Sequence, residues 1–332
     1  MKRKSFIRNG ALASLAIIVM INYSCKQQKK SEKESTDVEA MSEAAPFFTL
    51  SLAQWSMHKM IREDGVDPYS FAQKAKEWGF SGLEYVSQLY AAELEAAGYS
   101  QEAMDSFVQK SNEEARKHGL TNVLIMVDRE GNLSTSDVPE RQQAVENHHK
   151  WVDAAAAMGC HAIRVNLSGS DDPEVWIANS VEGLTSLATY AKEQGINVVV
   201  ENHGGLSSNA ALLAQVMDKV GMDNCGTLPD FGNFCIRRND PADYSKGCAE
   251  EYDFYQGVEE LMPYAKAVSA KSNNFDAAGN ETEIDYAKML EIVKNAGYTG
   301  FIGVEYEGNE LSEEAGIIAT KNLLIDAAKN LH

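Results

Sequence analysis

From Phe47 onward one pattern recurs along the chain. A short apolar, β-branched run gives way to a polar loop, and then to a stretch with apolar residues at helical spacing. The pattern predicts strands at Thr49–Gln54, Gly82–Val86, Asn122–Val127, Ala162–Asn166, Asn197–Glu201, Gly226–Pro229, Ala267–Lys271 and Gly300–Tyr306. It predicts helices at Pro68–Trp78, Gln101–His118, Pro139–Met158, Val181–Gln194, Asn209–Val220, Val258–Met262, Tyr286–Ala296 and Ser312–Asn330. Several helices run into a glycine just before the next strand, as at His118-Gly119 and Met158-Gly159. A glycine there takes the left-handed conformation without a Cβ penalty and releases the chain from the helix.

Strands that are almost continuously apolar, each followed by a helix, imply a parallel sheet covered on its outer face. Eight such units fit a closed (β/α)₈ TIM barrel, an α/β fold, better than an open sheet. No glycine-rich phosphate fingerprint follows the first strand, which argues against a dinucleotide fold. No internal linker interrupts residues 47–332, so they are expected to form a single domain.

The segment before Phe47 reads differently. Lys2, Arg3, Lys4 and Arg8 precede an apolar run from Ala11 to Ile21, the layout of a signal peptide. Cys25 follows the small residue Ser24, which resembles a bacterial lipoprotein signal with Cys25 as the lipidated residue. Residues 1–25 are therefore expected to form the signal peptide region, with cleavage just before Cys25 leaving that residue as the lipidated N-terminus. Residues 26–46, rich in Lys, Glu, Ser and Ala without hydrophobic period, are expected to form a flexible tether. Export follows from this reading, either as a periplasm-facing membrane lipoprotein or as a free periplasmic protein. The membrane would be met only through the N-terminal lipid.

The formal net charge is −19, and removal of the basic leader makes the remaining body more acidic. Such a body repels phosphate backbones, so nucleic acid is excluded as a partner and a neutral small molecule is favoured. Cys160, Cys225, Cys235 and Cys248 form no CxxC pair, which argues against a zinc knuckle. Two states remain open for Cys235 and Cys248: a disulfide, or buried thiols.

Candidate chemistry lies where apolar strands run out, because barrel active sites sit at the C-terminal mouth. The fifth strand ends Val198-Val199-Val200-Glu201-Asn202-His203, the sixth gives Leu228-Pro229-Asp230-Phe231-Gly232-Asn233, and the eighth gives Val304-Glu305-Tyr306-Glu307. A carboxylate in an apolar strand is costly unless it is paired or binds a cation. Three on converging strands point to a metal site or an acid/base set. Further mouth-facing candidates are Gln54, Trp55, His58, Glu84, Arg164, Asn166, Asn233 and Lys271. Trp55 offers a plane for a sugar face. Parity alone leaves the place of Glu307 open.

The spacing and flanks of Glu201, Asp230 and Glu305 resemble the sugar phosphate isomerase/epimerase family, which has a xylose isomerase-like barrel. The resemblance runs from about Phe47 to Asn330. It implies a divalent cation (Mn or Mg first, Co or Zn as alternatives) held by Glu201, Asp230 and Glu305. It also implies proton transfer next to a carbonyl, with Glu201 and Glu305 as the catalytic pair. The family's histidine on the seventh strand is replaced here by Ser269. Three completions follow: His203 joins the metal shell, water fills the place, or no metal binds and Lys271 neutralises the carboxylates. The resemblance thus implies a sugar or keto-sugar isomerase or epimerase. The alternatives are a lyase acting on an oxidised glycoside by the same deprotonation, and a non-catalytic sugar-binding lipoprotein. A homo-oligomer is compatible with all three.

Overall fold

The structure is a computed structural model that describes residues 45–329 and 331, apart from 241, 244 and 245. The signal peptide, Cys25 and all but the last two residues of the expected tether lie outside the described residues.

Eight parallel strands form one sheet: β1 (Thr49–Ala53), β2 (Gly82–Val86), β3 (Thr121–Met126), β4 (Ala162–Val165), β5 (Asn197–Glu201), β6 (Cys225–Leu228), β9 (Val268–Ser272) and β10 (Phe301–Tyr306). Each pairs with its neighbours in sequence, and β10 returns to β1 through Leu50 opposite Ile302 and Leu52 opposite Val304. Closure falls between β6 and β9. There the pairing consists of the parallel bridges Thr227 to Ala265 and Asp230 to Ser269. The Ser269 amide donates to the Pro229 carbonyl at 2.9 Å, and the Phe231 amide donates to the Ser269 carbonyl at 3.0 Å. The expected (β/α)₈ barrel is therefore present as one domain.

The helices are α1 (His58–Arg62), α2 (Phe71–Glu77), α3 (Ala91–Ala96), α4 (Gln101–His118), α5 (Val138–Met158), α6 (Pro173–Glu193), α7 (Ala210–Val220), α8 (Phe254–Leu261), α9 (Tyr286–Asn295) and α10 (Glu313–Ala328). Their starts are set by local chemistry. Asp137, Asp172, Asn209, Asp253, Asp285 and Ser312 each accept a backbone N–H from the first turn that follows. At their ends, Gly119 and Gly159 take φ values of 66° and 73°, as the glycine stop signals predict.

Two helices begin four or more residues before the sequence expectation. α6 begins at Pro173 rather than Val181, and α8 at Phe254 rather than Val258. In both, an Asp cap sets the start, and the first turn already carries core-facing residues (Trp176 in one helix, Phe254 in the other) that the predicted ranges left out.

An antiparallel hairpin that the pattern did not predict, β7 (Cys235–Arg238) with β8 (Cys248–Glu251), follows β6. Cys235 and Cys248 are joined by a disulfide, which resolves the two states left open above. Cys160 and Cys225 are free thiols.

Alternation along the strands divides the molecule. Leu52, Leu83, Ile302 and Val304 belong to the hydrophobic core. Ser51, Glu84, Arg164, Glu201, Lys271, Gly303 and Glu305 carry a second set of contacts among themselves, and the side chains in this set are buried as well. Gly303 makes room for one of them. A Cβ there would lie 2.5 Å from Glu84 Oε2, so only glycine admits that carboxyl.

Candidate active site

Three strand ends bring Glu201, Asp230 and Glu305 together. One ligand oxygen from each lies within 4.8 Å of the others, and all three side chains are buried. Among the described residues this is the group able to offer a metal ion three acidic, His or Cys ligand atoms.

Each carboxylate has its own support. The Arg164 Nε lies 2.8 Å from Glu201 Oε2, an ionic contact rather than an aligned hydrogen bond. Asn233 Nδ2 donates to Glu201 Oε1 at 2.9 Å. Asp230 Oδ1 accepts the backbone N–H groups of Gly232 and Asn233, both at 2.9 Å. Ser269, on β9, donates its hydroxyl to Asp230 Oδ2 at 2.6 Å and also lies 3.2 Å from Glu305 Oε2. Asn202 locks the two loops together, accepting from the Asp230 amide at 2.8 Å and donating to the Asp230 and Asn233 carbonyls.

Two cations balance this charge. Lys271 stands opposite Glu305 in the β9–β10 register. Its ammonium is 3.4 Å from Glu305 Oε2 and 3.0 Å from Glu307 Oε2. Arg164 reaches Asp128 Oδ1 as well, at 2.8 Å. Burial works against charge on Lys271, but the surrounding carboxylates, Glu305 first, raise its pKa well above the ordinary lysine value. Burial also opposes ionisation of Asp128, and Arg164 outweighs it, holding that carboxyl below its usual range.

Glu201 is pushed up to about 7 by burial and by Glu305, against the pull of Arg164. Asp230 is likewise pushed up to about 7 by burial, which Lys271 only partly offsets. Crowded buried carboxyls behave this way because the interior penalises each negative charge and each charge penalises the next.

Glu84 lies lower in the barrel, 1% exposed, with Ser51 donating to its Oε1 at 2.5 Å. Its Oε2 has no hydrogen-bond partner. Burial pushes this carboxyl up to about 8. It is therefore protonated at neutral pH in the folded chain and ionised in the unfolded one. Folded protein then binds the extra proton between about pH 4.5 and pH 8, so stability falls as pH rises through that window. The Glu84→Gln variant is expected to flatten this dependence and to melt above the wild type at pH 8. Thermal melts at pH 5 and pH 8 check it, and a variant less stable than wild type at pH 8 contradicts it.

The other sequence-predicted residues divide. Asn166 donates to Asp128 Oδ1 at 3.0 Å and stays at the mouth. Trp55 donates its indole N–H to Glu307. Its ring already stacks on His58 at 4.4 Å, with the Arg62 guanidinium 4.7 Å from its centroid, so the indole is packed rather than bare. His58 accordingly supports Trp55, and it also lies 3.3 Å from Glu313.

Gln54 is a correction. It is buried, donates to Tyr90 Oη at 2.8 Å and accepts the Val86 amide, away from the site. The strand ends at Ala53, and a 3₁₀ turn then swings Gln54 away.

His203 stays at the mouth, where it acts electrostatically on Asp128 and Glu307. It is not among the residues that converge as metal ligands. The expectation assumed extended geometry through residue 203, but β5 ends at Glu201. The His203 amide is already in a loop, bonded to Ser207 Oγ at 3.0 Å, and the side chain stands exposed at the rim.

Two residues were missed or left open. Asp128, just past the end of β3, pairs with Arg164 and should have been found by the same strand-end rule. Glu307 proves to be a site residue, linking Trp55 to Lys271.

No curated protein matches the chain in sequence. Many solved structures share its fold. A D-tagatose 3-epimerase-like protein superposes with a TM-score of 0.61 at 16% identity, covering 84% of this chain and 97% of that one. The 3-keto-D-glucoside 4-epimerase from E. coli gives 0.58 at 15% identity, covering 77% and 93%. A xylose isomerase-like TIM barrel protein from Mycobacterium smegmatis, in complex with magnesium, gives 0.57 at 17% identity, covering 86% and 97%. The model of the xylose isomerase-like TIM barrel family matches residues 72–326, well over half the sequence. On that match, and on the closed barrel with its carboxylate-lined mouth, the chain belongs to the xylose isomerase-like TIM barrel family.

Proposed function

We propose that this protein is a sugar or keto-sugar isomerase or epimerase that moves a proton at a carbon next to a carbonyl, with Glu201 and Glu305 as the acid/base pair. The observation that carries this reading is the pairing of two buried carboxylates at one mouth, each backed by its own cation: Arg164 behind Glu201 and Lys271 beside Glu305. A substrate carbon placed between them would have one carboxylate to take its proton and the other to return one. Glu201, displaced to about 7, is poised to exist in either form near neutrality. The sugar epimerases among the structural relatives support a sugar as the substrate class.

Three buried oxygen donors suit a hard divalent cation, so Glu201, Asp230 and Glu305 would hold Mg²⁺ or Mn²⁺. When bound, such an ion polarises a carbonyl oxygen. The chain's own residues do the rest. Ser269 and the Gly232 and Asn233 amides fix Asp230, Asn233 orients Glu201, and Arg164 and Lys271 keep negative charge tolerable in the buried mouth. A neutral substrate fits a chain of net charge −19. The Cys235–Cys248 disulfide supports export to an oxidising compartment, in keeping with the predicted signal peptide and lipid anchor.

The test is incubation of purified protein with neutral ketohexoses and 3-keto-glycosides in D₂O. Deuterium entering the carbon beside the carbonyl, with epimer or isomer formation, is the expected result. Release of the aglycone would instead mark elimination. Tight binding without exchange would make the protein a sugar binder and end the isomerase reading.

A further inference from the structure

Lys271 stands inside the candidate cation site formed by Glu201, Asp230 and Glu305. It is 4% exposed and lies directly against one of the three carboxylates that would hold the ion. Its stem runs over Gly232, where a Cβ would sit 3.3 Å from Lys271 Cγ, so the backbone leaves room for it. Its ammonium has two anchors of different character. Glu305 Oε2, at 3.4 Å, is buried within the cluster, and Glu307 Oε2, at 3.0 Å, is on the partly exposed rim and is held by Trp55. Where an imidazole would add a neutral ligand, the chain has Ser269, whose hydroxyl already serves Asp230 and Glu305.

We infer that Lys271 is a tethered counter-cation of the carboxylate cluster and competes with a divalent metal ion for it. With the ammonium on Glu305, the cluster is partly neutralised and a dication meets like charge at short range, which the buried mouth screens poorly. A metal ion settles in only as the ammonium, already hydrogen-bonded to Glu307, moves farther from Glu305. The lysine thereby sets how tightly the site holds metal. The inference rests on the reading of Glu201, Asp230 and Glu305 as a cation site, and not on the isomerase reading.

The test is calorimetric titration of the whole protein with MnCl₂ and MgCl₂ in the absence of any sugar, so that catalytic failure cannot enter the result. Lys271→Met is expected to bind Mn²⁺ at least tenfold tighter than wild type. Lys271→Arg, which keeps the charge, is expected to stay within about threefold of wild type. If the methionine variant fails to fold, Lys271→Gln, which retains a donor toward Glu305 and Glu307, is expected to show the same tightening. Equal or weaker metal binding without the lysine overturns the inference. So does tightening of the same size in the arginine variant, or absence of metal uptake by every variant.

Discussion

Replacing Arg164 with methionine is expected to destabilise the fold by about 3–5 kcal/mol, the usual cost of removing one partner from a buried ion pair. Arg164 is 4% exposed and pairs with two carboxylates at 2.8 Å, Asp128 through its terminal nitrogen and Glu201 through Nε. Methionine fills similar volume, so the loss would come from charge and not from a cavity. Asp128 keeps hydrogen bonds from Gln88 and Asn166, whereas Glu201 keeps only Asn233. Most of the penalty should therefore fall on Glu201. Urea unfolding at pH 7 measures it, and the double variant Arg164→Met/Glu201→Gln should recover a substantial part. A single-variant loss under about 1 kcal/mol would show that the pair contributes little.

Glu305→Gln should lower turnover by about 10²–10⁴-fold while leaving the melting temperature close to wild type. Glutamine is nearly isosteric, can still accept from Ser269 and Lys271, and removes one of the crowded negative charges. It cannot carry a proton to or from carbon. Glu201→Gln should show a comparable loss. The readout is the D₂O exchange rate on whichever keto-sugar the wild type turns over. If either variant keeps near-normal exchange, that residue is not a proton carrier and the two-carboxylate mechanism fails.

The barrel was legible because its strands are nearly pure apolar runs and its helices end at glycines. All eight strands were located in this way, each to within a residue or two at its ends. The β7–β8 hairpin was not legible: Cys235-Ile236-Arg237-Arg238 and Cys248-Ala249-Glu250-Glu251 lack a buried face and are held by a disulfide rather than by a core.

In the site, Glu201 and Glu305 within strands, and Asp230 two residues past β6, converge as the strand-end reading expected. Past a strand end the outcome depended on the local turn. Alternation of side chains holds only while the backbone stays extended. It placed Lys271 opposite Glu305, where the strands continue. It misplaced Gln54, where the strand had already ended. Asp128 stands two residues past the end of β3, just as Asp230 stands two past the end of β6, so the strand-end rule that found Asp230 applied to it equally. Its importance rests on Arg164 reaching across from the next strand, a contact that no local pattern encodes.

The joint between β6 and β9 gives the site a second meaning. The two strands share only scattered bridges there, and one of them joins Asp230 to Ser269, the residues that also hold the carboxylate cluster in place. The carboxylate cluster is thus mounted on the most sparsely paired joint of the barrel. A ligand that draws Asp230 and Glu305 together acts as a rivet across that joint. Occupancy of the mouth and closure of the cylinder are then coupled, each reinforcing the other.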